Sequence, residues 1–126
     1  MPKGLLPTPK EVIERLLGGR YESEDPEVKL TEIMTGLPFE TLRDLRTFVR
    51  HANAVRRLSK ACDPEVVKEA VMLEKRMRVA IESIREDWRN KVIPAEVARE
   101  AIDFIYSTAD ESVREAYLNL EACFRR

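Results

Sequence analysis

Apolar residues return at three- and four-residue spacing along most of this chain, with no sustained alternation of period two. Over 38–60 the stripe is Leu42, Leu45, Phe48, Val49, Ala52, Val55 and Leu58. Over 64–91 it is Val67, Ala70, Leu73, Met77, Ala80 or Ile81, Ile84 and Trp88. Val97, Ala98, Ala101, Ile102 and Ile105 continue the pattern over 94–108, and Val113, Ala116, Tyr117, Leu120 and Phe124 over 111–125. This spacing puts each set on one side of a helix, where it reads as core packing. Prolines mark the starts: Pro9, Pro26, Pro38, Pro64 and Pro94 suit first-turn positions, where a missing amide costs nothing. Thr8, Asp25 and Asp63 precede three of them as N-caps. Gly18, Gly19 and Gly36 supply stops. The pattern predicts an all-α fold, a small bundle of about six helices near 9–17, 26–35, 38–60, 64–91, 94–108 and 111–125. Its frame is one long helical hairpin, 38–60 against 64–91.

Composition narrows the classes without changing that picture. A length of 126 residues fits a single domain. Charged residues make up 36%, above the usual level of about 25%, which suits helices with heavily charged outer faces. No apolar run approaches the ~18 residues of a membrane span. The apolar patch near the start, Leu5-Leu6, is too short for a signal peptide, so a cytoplasmic location is expected. Cys62 and Cys123 share no metal-ligand spacing and read as two buried thiols. The lone histidine, His51, excludes a multi-histidine metal site, and no cofactor is expected. Glu96, Glu100 and Asp103 form an acidic face that reads as solvated, since no Glu-x-x-His pair accompanies it.

Charge alters the picture more. The formal net charge is -1, but it averages unlike parts. Residues 1–40 hold 5 basic and 8 acidic side chains, residues 41–91 hold 13 and 8, and residues 92–126 hold 4 and 7. The long hairpin is therefore a basic waist of +5 between two flanks of -3. No acid occurs between Asp44 and Asp63, a stretch that contains Arg46, Arg50, Arg56, Arg57 and Lys60. At about 100° per residue, Arg43, Arg46, Arg50 and Arg57 fall within about 60° of one another, away from the apolar stripe. Guanidinium groups in a row can follow phosphates with a bidentate geometry that lysine lacks. A weaker row, Lys75, Arg78, Arg85 and Arg89, flanks the stripe of 64–91, with Glu82 placed to pair with Arg78 and Arg85. The aromatic residues read mostly as part of the apolar stripes and none interleaves with the arginines. The expected contact is therefore with backbone phosphates, read by shape and not base by base.

Two resemblances give these residues a context. Leu37-Pro38-Phe39-Glu40-Thr41-Leu42-Arg43 resembles a Leu-Thr-x-Ser-Gln-Ile-Arg opening of a basic helix. Leu73-Glu74-Lys75-Arg76-Met77-Arg78-Val79-Ala80 resembles a Leu-Lys-x-Lys-Leu-Ala-Tyr helix start, and Leu120-Glu121-Ala122-Cys123-Phe124-Arg125 a Glu-Ala-x-x-Ala-Tyr-x-Lys ending. In that order they resemble the small helical subunit of the type III-A (Csm) CRISPR interference complex, or a related CRISPR effector small subunit. Thr41 and Val79 depart from that pattern, which has Gln and Tyr there. The resemblance implies a non-catalytic RNA-binding subunit of an antiviral defence ribonucleoprotein complex. Its partners would be guide RNA, the paired target strand, other subunits and copies of itself. The RNA-binding residues expected from the charge pattern are Arg43, Arg46, Arg50, Arg57, Lys60, Lys75, Arg78, Arg85 and Arg89, and Arg43 falls on the arginine of the resembled opening. The alternative rests on six residues: Arg46 and His51 match the Arg-x4-His pattern of the higher eukaryote and prokaryote nucleotide-binding (HEPN) ribonucleases, with Thr47 where that family has Asn, Asp or His.

Overall fold

A computed structural model describes residues 36–125. Among these residues the protein is three helices with no strand: α1, Phe39–Lys60, α2, Val66–Arg89, and α3, Ala95–Phe124. The helices predicted at 9–17 and 26–35 lie outside the described residues. The long hairpin forms as the pattern predicts. Pro38 and Pro94 sit immediately before α1 and α3 in extended backbone, and the Asp63 carboxylate accepts from the Glu65 amide in the turn before α2 (2.9 Å).

The break expected between 108 and 111 is absent, and α3 runs 30 residues without interruption. Nothing in Ser107-Thr108-Ala109-Asp110 is a glycine or proline, and its helix propensities cost only tenths of a kcal/mol each. An Arg114–Asp110 ion pair one turn apart spans the supposed joint.

All three helices pack on one another around a single apolar cluster that includes Leu45, Phe48, Val49, Leu73, Ile84 and Ile105. The stripe of α1 enters it much as its spacing predicts. Two other stripes are only partly buried. On α2, Val66 is buried while Val67 and Trp88 are exposed. On α3 the buried side is Ala98, Ala101, Phe104, Ile105, Thr108, Ser112 and Ala116. Val113, Tyr117 and Phe124, expected in the core, face solvent. Small residues on the buried side let α3 approach its neighbours closely, which leaves the bulky stripe about a third of a turn away on the surface.

Helix order fixes a second correction. Because α2 returns alongside α1 and α3 returns alongside α2, the C-terminal parts of α1 and α3 meet. There Cys62 and Cys123 are joined as a disulfide with Cα atoms 5.9 Å apart, not held as two free thiols. Asn119 donates to the Ser59 hydroxyl beside it (3.0 Å).

Candidate nucleic-acid interface

The row on α1 keeps the arrangement its spacing predicts. Arg43, Arg46, Arg50 and Arg57 are all exposed, on the side of the helix opposite Leu45, Ala52 and Ser59. At about 1.5 Å per residue the row is about 21 Å long. None of the four makes an ion pair with another described residue. Three acids near it are engaged on the α1–α2 seam, while Glu40, exposed three residues before Arg43, makes no ion pair with another described residue. Asp44 accepts from Ser83 (2.5 Å), Glu69 is paired with His51 (2.5 Å), and Asp87 accepts from Thr41. These contacts run down the seam in antiparallel order, and each draws a carboxylate away from the arginine face.

The other sequence-predicted cations are held differently. Lys60 pairs with Glu115 (3.4 Å). Arg56, beside the row in sequence, turns to the α3 side and meets Glu111 (3.6 Å) and Glu115 (3.3 Å). On α2, Arg78 pairs with Glu74 (2.7 Å) and Arg89 with Glu82 (2.6 Å). The spacing suits Glu82 to Arg78 and Arg85, and the structure gives it to Arg89. Lys75 and Arg85 are exposed with no ion pair among the described residues. The centre of the α2 row lies about 150° around its helix from Glu69, Ser83 and Asp87, the residues that meet α1, with Lys75 the member nearest the seam. It faces away from the α1 row, and the two do not merge into one patch.

The Arg46–His51 pair does not converge. Five residues along a helix turn the side chain by about 140°. Arg46 faces solvent, whereas His51 sits in the α1–α2 seam with its side chain 19% exposed and its Nδ1 on the Glu69 carboxylate. The ring is a seam residue and not one on a solvated face.

An aromatic neighbour of the row was missed in the sequence. Phe39, the first residue of α1, is 76% exposed and falls within the same 60° sector as the arginines. Phe39, Leu42, Arg43, Arg46, Thr47 and Arg50 line a depression of 380 Å³. Thr47 bonds back to the Arg43 carbonyl (3.0 Å), which keeps its hydroxyl on the helix. The signal available in the sequence was Phe39's place one turn before Arg43, in register with the row and not with Leu45 and Phe48.

Among the described residues no group of acids, histidine and cysteines could hold a metal ion, and no helix is long and apolar enough to cross a membrane. No family model matches the chain, and neither a curated protein nor a solved structure matches it.

Proposed function

We propose that this chain is a non-catalytic RNA-binding subunit that lays the arginine face of α1 along a phosphate backbone within a multi-subunit complex. The observation that carries the reading is that all four cations of the α1 row lack an acid partner among the described residues, whereas two of the four on α2 are paired. On α2, Arg78 and Arg89 are neutralised by glutamates on their own helix, whereas Arg43, Arg46, Arg50 and Arg57 point outward with no acid partner among the described residues. Four guanidinium groups with no acid partner among the described residues, in about 21 Å, repel one another, and a polyanion relieves that repulsion by releasing its counterions. Contacts of this kind set register on a strand and carry no base sequence. The resemblance to the Csm small subunit supports the setting of a CRISPR effector complex, with guide RNA and its paired target strand as the polyanion.

Simultaneous reversal of Arg43, Arg46 and Arg50 to Glu tests the reading. The affinity for RNA should fall, and the slope of log K against log salt should drop by about 0.7 for each single-strand phosphate no longer neutralised. Reversal of Arg78 and Arg89 is the control and should change binding much less. Equal affinity and equal slope in the triple variant would sink the reading. Co-purification of the native chain with guide RNA or defence subunits tests the proposed setting separately.

A further inference from the structure

We propose that the depression at the start of α1 receives an unpaired nucleobase of the bound strand, stacked on Phe39, while Arg43, Arg46 and Arg50 hold the flanking phosphates. The inference rests on the reading of the arginine face as an RNA contact, and it names the form of RNA that face selects: a segment with at least one unpaired base.

The depression combines the two groups a nucleotide requires. Its apolar part is Phe39 and Leu42, and its cationic part is Arg43, Arg46 and Arg50. The Phe39 ring is three-quarters exposed at the head of the basic row and is not part of the core, so its face is open to a ligand. Leaving the core contact to Thr41, Leu45 and Phe48, the helix turns Phe39 outward into line with the charges. A base has a flat π-face whatever its identity, so stacking on Phe39 adds affinity without sequence preference. The rise of the helix puts Phe39 about 6 Å from Arg43 and about 10 Å from Arg46 along the axis, within the span of neighbouring nucleotides. A continuous duplex keeps its bases stacked on one another and presents phosphates alone, so it satisfies the arginines and leaves the ring uncovered.

The test compares a short fluorescein-labelled single-stranded oligoadenylate, an abasic strand of the same length and a perfect RNA duplex, each followed by anisotropy. Phe39→Ala should weaken binding of the oligoadenylate by about five- to 150-fold, the range for removal of one base–aromatic stack. The same variant should bind the abasic strand and the duplex as the native chain does. In a second variant carrying Phe39→Trp and Trp88→Phe, the only indole is at the site. Its emission should be quenched by the oligoadenylate and unchanged by the abasic strand. If the oligoadenylate binds but Phe39→Ala has no effect, or the indole at position 39 is not quenched, the stacking site is wrong and the phosphate reading stands. If no RNA binds, or if binding ignores reversal of Arg43, Arg46 and Arg50, the RNA reading fails and takes this site with it.

Discussion

Cys62 and Cys123 are 61 residues apart in the chain and covalently joined, so the turn after α1 is tied to the last turn of α3. Cys62 also occupies a left-handed backbone position (φ 56°). Its amide bonds to the Ser59 carbonyl and the Asp63 amide to the Leu58 carbonyl, the two bonds of a Schellman cap. Glycine is the least strained residue there, and a side chain costs about 1 kcal/mol. The cysteine is explained by its bond, which outweighs that strain. Closing a loop of this length in the unfolded chain stabilises the fold by up to about 4 kcal/mol. Urea unfolding should show a decrease of about 2–4 kcal/mol on reduction, or in a Cys62→Ser, Cys123→Ser variant. An unchanged midpoint would show that the bond adds nothing. Hydrogen exchange should speed up first in the part of α3 after Ala116, where Asn119 and Cys123 supply the contacts to α1.

His51 and Glu69 form a partly buried pair across the hairpin, which gives the histidine a structural task. His51→Ala should cost about 1.5 kcal/mol, the lower end for a hydrogen bond to a charged group, because both side chains retain some solvent. The same substitution should leave labelled RNA as intact as the native chain leaves it. Cleavage by the native chain that disappears in His51→Ala would reverse the choice between the two functional readings.

Lys91 repeats the conformation of Cys62 at the end of α2, with φ 59° and no cross-link to justify it. Its amide reaches the Trp88 carbonyl and the Val92 amide the Asp87 carbonyl, so the cap is again of the Schellman type. Lys91→Gly removes the clash of Cβ with the following carbonyl, offset in part by a more flexible unfolded chain. The net expectation is a gain of about 0.5–1 kcal/mol in urea or thermal unfolding. A decrease in stability would mean that the lysine side chain makes an interaction worth more than the strain.

Much of the hairpin was legible because its signals agree. Proline and aspartate mark the 61–65 turn, and one dominant stripe on α1 leaves no choice of buried side. The arginine face was legible for the same reason, since the four arginines fall opposite that stripe and are exposed. Helix α3 was harder. It carries two candidate stripes: a small, partly polar one through Ala101, Thr108 and Ser112, and a bulky one through Tyr106, Val113, Tyr117 and Phe124. Periodicity weights size and hydropathy and favours the bulky stripe, whereas close approach of helices favours the small one. The Cys62–Cys123 bond and the His51–Glu69 pair depend on which helix ends meet and in what register, which no local pattern carries.

The two stripes of α3 give a direct comparison with the core. Phe48 is fully buried among α1, α2 and α3, so Phe48→Ala removes a whole ring from a packed site. The expected cost is about 3–5 kcal/mol, the sum of the forfeited transfer energy and the cavity left behind. Tyr117 is 69% exposed, despite its place in the more apolar of the two patterns. Tyr117→Ala should change stability by no more than about 0.5 kcal/mol, as a surface substitution does. Ala101→Leu adds volume on the small-residue side of α3, where Ala101 is fully buried, and overpacking there should cost about 1–3 kcal/mol. Urea unfolding of the three variants decides the orientation of α3. A large destabilisation by Tyr117→Ala with none by Ala101→Leu would mean that the bulky stripe faces the core. The opposite order places the small stripe inward and leaves Tyr106, Val113, Tyr117 and Phe124 on the surface.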